Sequence, residues 1–170
     1  MKKDDFLTWK IITLGFYTVD RFRKFFNNGN GFRIYCRAND LINQPSFAVS
    51  PREVGVELVR LSVGALGFKG EETRRNIYKR AFDELGCKPC PNEIGIALRS
   101  QYVNQPMSEQ ILVGMDPIIA SDGFPKLFKV GRHSNGIFFL GVHDGDPGRL
   151  FPVESQWIFL RNSQWAFLRD

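Results

Sequence analysis

The fold is decided between residues 110 and 160, which read QILVGMDPIIASDGFPKLFKVGRHSNGIFFLGVHDGDPGRLFPVESQWIFL. Short apolar runs alternate here with clusters of Ser, Asp, Asn, Gly and Pro, the residues that favour tight turns. The turn clusters cover residues 121–123, 134–136 and 144–148. Four short strands are therefore predicted, joined as an antiparallel meander, and they cover residues 110–115, 126–130, 137–142 and 156–160.

Upstream of this stretch, apolar residues recur at helical spacing. In residues 71–85 the apolar side chains fall on one face, and Gly86 follows at the position where helices commonly end. Residues 91–102 form a second predicted helix, which begins with a proline. Shorter helices are predicted after Thr18, in the position of a helix N-cap, and over residues 38–43.

Residues 51–66 are compatible with two kinds of secondary structure. Ser50 and Glu53 have the spacing of a capping box, which favours a helix. Gly55 and Gly64 would each destabilise that helix by about 1 kcal/mol, and the apolar run between them suits a strand. We favour the strand and keep the helix as the alternative.

Together these patterns predict an α+β protein, with N-terminal helices packed on a C-terminal antiparallel β-meander. One domain is expected over residues 1–170, with a helical part at about 15–103 and a β-rich part at about 108–168. Hydrophobic residues make up 43% of the chain and charged residues 24%, which is typical of a protein with a packed core.

The sequence predicts a cytoplasmic protein with no membrane partner. No apolar run approaches the roughly 18–20 residues that a membrane-spanning helix needs. The charged start, Met-Lys-Lys-Asp-Asp, is followed by no long apolar stretch, which argues against a secretory signal. No cofactor is predicted, because the sequence contains neither a P-loop nor a G-x-G-x-x-G motif.

A series of short motifs runs through the middle of the chain. They are Leu66-Gly67-Phe68, Cys90-Pro91-Asn92-Glu93-Ile94-Gly95, Leu98-Arg99, Gln101-Tyr102, Gln105-Pro106, Met115-Asp116-Pro117-Ile118 and Ser121-Asp122-Gly123. In these motifs the chain resembles an uncharacterised family of short bacterial proteins. The resemblance implies a stand-alone bacterial domain, and it implies no activity, ligand or catalytic residue.

Two groups of residues could bind a metal ion or carry thiol chemistry. Cys87 and Cys90 form a C-x-x-C motif beside a helix start, where the helix dipole lowers the pKa of a thiol. A structural pair is the main interpretation, with a metal site or a redox motif as alternatives. The oxygen ligands that follow His143 could hold a hard cation, but they are also ordinary turn residues. The candidate metal ligands are Cys87, Cys90, His143, Asp144 and Asp146.

The basic residues suggest a surface for nucleic acid. The formal net charge is +5, and residues 1–37 hold eight Lys and Arg residues against three Asp. Basic side chains also recur on the exposed face predicted for residues 71–85. Such a surface could track nucleic-acid phosphates, and the alternative is an ordinary solvated face. The candidate residues are Arg21, Arg23, Lys24, Arg74, Arg75 and Lys79.

The chain ends in a tandem octapeptide, because SQWIFLRN at 155–162 is followed directly by SQWAFLRD at 163–170. The second copy is interpreted as a duplication of the last strand. The alternative is an exposed aromatic surface, formed by Trp157 and Trp165, that binds a protein partner or a second copy of the chain.

These observations favour a small non-enzymatic binding or interaction protein. The sequence contains no G-x-S-x-G or other nucleophile motif that would indicate an enzyme. A metal- or thiol-dependent enzyme and a nucleic-acid-binding protein are the alternatives.

Overall fold

The structure, a computed structural model, describes residues 6–26, 29, 31–162 and 167–168. Over these residues it is an α+β protein with a curled, mostly antiparallel sheet. The helices are α1 (Val19–Phe26), α2 (Cys36–Ile42), α3 (Arg74–Tyr78), which continues as a π-helical segment (Lys79–Glu84), and α4 (Ile94–Gln101). The strands are β1 (Lys10–Leu14), β2 (Phe32–Ile34), β3 (Val54–Ser62), β4 (Glu72–Thr73), β5 (Gln110–Val113), β6 (Ile118–Ile119), β7 (Pro125–Arg132), β8 (Phe138–Asp144), β9 (Leu150–Phe151), β10 (Gln156–Leu160) and β11 (Phe167–Leu168).

The main sheet combines strands from both halves of the chain. Its strands follow the order β1-β3-β10-β5-β7-β8-β2, while β6 pairs with β7 and β11 with β3. Neighbouring strands are antiparallel except for two parallel pairs, β10 with β5 and β2 with β8. A separate two-stranded sheet is formed by β4 and β9.

The strand order corrects the predicted layout of helices and strands. β1 precedes the part of the chain that was expected to be mainly helical, and β2 and β3 lie within that part, so residue 103 does not divide helices from strands. The prediction of a strand within residues 51–66 is confirmed by β3. The four predicted C-terminal strands are all present, but β10 lies between β3 and β5 instead of extending the meander beside β8.

Helix α4 lies inside the curl of the sheet and is buried on nearly every side. It contacts β1 at one end of the strand order and β7 and β8 towards the other, so the sheet bends around it. The carboxylate of Glu93, just before α4, accepts hydrogen bonds from the backbone N–H groups of Gly15 and Ser50, at 2.6 and 2.8 Å. These bonds tie the start of the helix to the segments that flank β1 and β3.

The opposite face of the sheet is covered over β10 by α3 and the π-helical segment. The ring of Tyr78 packs edge-on against Trp157, and that of Phe82 against Phe159, with centroids 5.7 and 5.6 Å apart. Trp157 is fully buried, so the predicted role of its ring on a partner-binding surface is corrected to a role in the core. Trp165, the other residue of that prediction, lies outside the described residues.

The predicted helices are present, α1 with its predicted start and the others with shifted bounds. α1 begins directly after Thr18, whose hydroxyl oxygen accepts a hydrogen bond from the backbone N–H of Arg21 at 3.2 Å. The helix expected from residue 71 begins later because Glu72 and Thr73 pair with β9. The Thr73 hydroxyl then caps α3 by accepting a hydrogen bond from the N–H of Asn76 at 3.3 Å.

Candidate functional site

A cavity of about 210 Å³, which we call the β9 cavity, opens on the face of the sheet opposite α4. Strands β5, β7 and β8 form its floor, and the chain that carries β9 and leads into β10 forms its wall. Apolar side chains make up the rest of the lining. The polar and basic side chains that line it are Gln110, Lys129, His143, Arg149, Ser155 and Gln156.

The pairing of β7 with β8 places two basic side chains on this face. Lys129 is the cross-strand neighbour of Gly141, and His143 is the neighbour of Leu127. Residues two apart in a strand point to the same side, so Lys129 and His143 share a face. The side chains that alternate with them, such as Phe128, point towards α4 instead.

The wall of the cavity is fixed by aromatic packing. Phe151 of β9 is buried, and its ring centroid lies 4.9 Å from that of His143 and 4.8 Å from that of Trp157. The backbone carbonyl of Arg149 accepts a hydrogen bond from the N–H of Arg74 at 3.0 Å. The wall is thus attached both to the core and to the start of α3, and it brings Arg149 to the cavity.

The electrostatics of the cavity disfavour additional positive charge. Burial lowers the pKa of the Lys129 ammonium below its ordinary value. Burial is also the main cause that lowers the pKa of the His143 imidazole, and the charges of Lys129 and Arg149 lower it further. The backbone carbonyl and the carboxylate of Asp144 oppose this shift. Lys129 and His143 are thus half-buried basic groups with lowered pKa values, while Arg149 is exposed.

No carboxylate lines the cavity among the described residues. Two nearby acids are engaged elsewhere: Glu109 accepts from Arg60 at 3.0 Å, and one carboxylate oxygen of Asp144 accepts from the backbone N–H of Asp146 at 2.9 Å. Within the part of the chain that the structure describes, neither Lys129 nor Arg149 forms an ion pair. The cavity therefore presents positive charge that an anion could neutralise.

The structure does not gather the predicted metal ligands into one site. Cys87 and Cys90 are buried, and the Cys90 thiol lies 3.6 Å from the carbonyl oxygen of Ile158, where burial raises its pKa. His143 and Asp144 end β8, and Asp146 lies in the loop that follows. Over the described ranges, no group of three or more His, Cys, Asp or Glu side chains is arranged to hold a metal ion.

The predicted nucleic-acid residues are divided between two helices that cover different parts of the sheet. α1 packs against β2 at one end of the strand order, whereas α3 lies over β10, which is separated from β2 by three strands. Two of the six also have local partners: Arg23 donates to the side chains of Asn39 and Asn43, and the Arg74 guanidinium lies 4.6 Å from the Tyr78 ring centroid. The members on α1 are Arg21, Arg23 and Lys24, and those on α3 and the π-helical segment are Arg74, Arg75 and Lys79.

Sequence reasoning identified His143 but missed its two basic neighbours. Lys129 carried a usable signal, because a hairpin centred on Asn135 places residue 129 opposite residue 141 and therefore on the same face as His143. The sequence gives no comparable signal for Arg149, because its position depends on the pairing of β9 with β4, and each of these strands is only two residues long.

Comparisons of the chain with protein-family models, curated proteins and solved structures give no match. The resemblance to an uncharacterised bacterial family therefore stays a prediction. Among the described residues, no helix combines the length and apolar character needed to cross a membrane.

Proposed function

We propose that this chain is a small binding protein whose β9 cavity takes the anionic group of a ligand, a phosphate or a carboxylate. The observation that supports the proposal is the convergence of Lys129, His143 and Arg149 on one cavity that no described carboxylate lines. A bound anion would compensate the positive charges of Lys129 and Arg149, which form no ion pair among the described residues.

The rest of the lining is suited to hold such a group in a defined orientation. Gln110 and Ser155 add side-chain amide and hydroxyl donors, and Gln156 keeps one amide N–H besides the one that donates to the carbonyl of Glu154 at 3.1 Å. The carbonyl oxygen of the Gln156 side chain accepts from Arg60 Nε at 3.1 Å, which fixes the orientation of its amide plane. Partial burial strengthens hydrogen bonds between charged groups, because water screens them less than at an open surface.

The proposal is tested by titrating the protein with sulfate and with pyrophosphate at low ionic strength, using calorimetry. Lys129→Met removes the central charge and keeps the apolar stem of the side chain. We expect this change to weaken anion binding roughly 10- to 100-fold, the effect of losing one charge-assisted hydrogen bond.

The matched control is Lys126→Met, which removes the same charge from the same strand on the opposite face of the sheet. It is expected to leave both affinities within about twofold, because Lys126 does not line the cavity and solvent ions screen charges that do not contact the bound anion. The proposal is wrong if the unmodified protein binds neither anion, or if both variants weaken binding equally. Circular dichroism verifies that each variant is folded.

A further inference from the structure

A cluster of three aromatic rings lies beside the β9 cavity. His133 stacks on Phe139, with ring centroids 4.3 Å apart and an angle of 25° between the ring planes. The Tyr35 hydroxyl forms a hydrogen bond with His133 Nε2, and the Tyr35 ring lies 5.4 Å from that of Phe139. Phe139 is buried beneath the other two, whereas Tyr35 keeps 37% of its surface exposed. Tyr35 is therefore an aromatic ring held in place from one side and open to solvent on the other.

Gly141 lies against this cluster and is paired with a residue that lines the cavity. A Cβ atom at Gly141 would lie 3.3 Å from Cδ2 of Tyr35 and 3.5 Å from the Phe139 ring, so the missing side chain leaves room for Tyr35 against the strand. Lys129 is the cross-strand neighbour of Gly141, and its ammonium lies 5.9 Å from the Phe139 ring centroid. The same lysine thus borders both the cavity and the aromatic cluster.

Tyr35 packs against Gly141 and His143 lines the cavity, so the aromatic cluster and the cavity are neighbours along β8. Gly141 and His143 are two residues apart in β8, which is about 7 Å at roughly 3.4 Å per residue. A single ribose bridges a comparable distance between an aromatic base and a 5′-phosphate. Stacking on a tyrosine is tolerant of base identity, because every base has a π-face.

We infer that the ligand of the cavity is a nucleotide, with its phosphate between Lys129, His143 and Arg149 and its base stacked on the exposed ring of Tyr35. This inference rests on the proposed function, since it needs the cavity to bind a phosphate. A free nucleotide and the end of a single-stranded nucleic acid share this chemistry.

The test compares adenosine 5′-monophosphate with ribose 5-phosphate, which carries the same phosphate and sugar but no base. We expect the unmodified protein to bind the nucleotide about tenfold more tightly, the increment that stacking of one base provides. Tyr35→Ala should abolish this difference and leave the affinity for ribose 5-phosphate unchanged. Tyr35→Phe keeps the ring and should keep the difference.

Phe124→Ala is the matched control, because Phe124 is an exposed aromatic residue in the turn before β7 and does not line the cavity. It should alter neither affinity. Equal affinity of the unmodified protein for the two ligands would overturn the inference while leaving the anion site intact. Failure of both ligands and of sulfate to bind would overturn the proposed function as well.

A 5′-phosphorylated oligonucleotide of four adenosines distinguishes the two sources of the ligand. An affinity equal to that of the mononucleotide identifies a free nucleotide as the ligand. An affinity that is at least tenfold higher, and that falls steeply with salt, identifies single-stranded nucleic acid. A much weaker affinity for the oligonucleotide excludes nucleic acid and again leaves the free nucleotide.

Discussion

A Cβ atom at Gly95 would lie 2.6 Å from Cγ of Phe128. Gly95 is in the first turn of α4 and Phe128 is in β7, and both are buried. The close approach of the helix to the sheet therefore depends on a residue without a side chain. This close approach gives a physical reason for a glycine at position 95, because glycine is otherwise unfavourable within a helix.

Gly95→Ala is expected to destabilise the protein by roughly 1–3 kcal/mol, the usual cost of overpacking a core. The intrinsic preference of alanine for helices, about 1 kcal/mol, acts in the opposite direction and is outweighed. Urea denaturation followed by circular dichroism measures the change. Gly55→Ala is the control, since a Cβ atom there meets nothing within 4 Å. A Gly95→Ala variant as stable as the unmodified protein would show that the helix can shift away from β7.

Arg99→Met is expected to destabilise the protein by about 3 kcal/mol or more, because it leaves several buried acceptors without a donor. The fully buried guanidinium donates to Gln105 Oε1, to the carbonyl of Gly131 and to the carbonyl of Tyr102, at 2.6–2.7 Å. Burial lowers the pKa of Arg99 to about 10, so it is still charged at neutral pH.

The control for Arg99 is Arg33→Met, an equivalent change at an exposed position of β2. Both variants are compared with the unmodified protein by urea denaturation at pH 7. A loss below about 0.5 kcal/mol for Arg99→Met, the range typical of surface changes, would contradict the prediction.

His143 should make the protein less stable as the pH falls from 7 to 5. Burial is the main cause that lowers its pKa in the folded state; Asp144 opposes this shift, and the charges of Lys129 and Arg149 add to it. The unfolded chain therefore binds the proton first, so this contribution to stability is present above about pH 6.5 and decreases below it. His143→Gln should show a smaller loss of melting temperature over the same range. Parallel pH profiles for the two proteins would disprove this.

The three cysteines should differ sharply in their reactivity with a thiol reagent. Cys36 is exposed at the start of α2, whereas Cys87 and Cys90 are buried, and burial raises the pKa of the Cys90 thiol. Ellman's reagent should therefore label one thiol rapidly in the folded protein and three after denaturation. Cys36→Ser should remove the rapid phase. Rapid labelling in that variant would show that the C-x-x-C segment opens readily.

The sequence was most informative where structure depends on near neighbours. The turn clusters predicted the C-terminal strands, and the position of Thr18 predicted the start of α1. The strand order could not be read in the same way, because β2 is three residues long and pairs with β8 more than a hundred residues further along the chain. Its alignment depends on contacts such as the stacking of Phe32 on Phe138, at 4.9 Å between centroids. Periodicity within one segment does not contain this information.

The candidate site illustrates the same limit. His143 was noticed as a titratable residue, but it was grouped with the acids that follow it in sequence and not with the lysine across the hairpin. An exposed surface containing Trp157 is the alternative interpretation of the repeated octapeptide, yet Trp157 is fully buried and packs against the rings of Tyr78 and Phe151. In both cases the partner that decides the role of the residue is supplied by a different strand or helix.

The position of β10 between β3 and β5 has a consequence for synthesis. β3 needs β10 as a neighbour, and about a hundred residues separate the two in the chain. A ribosome must therefore release residues up to 160 before the central strands can pair and enclose α4. Until then the apolar side chains of α4, which are buried in the folded protein, stay partly exposed to solvent. Contacts this distant in sequence slow folding, because the loop must close before the contacts can stabilise it. We therefore expect the nascent chain to be a client of chaperones that shield apolar segments.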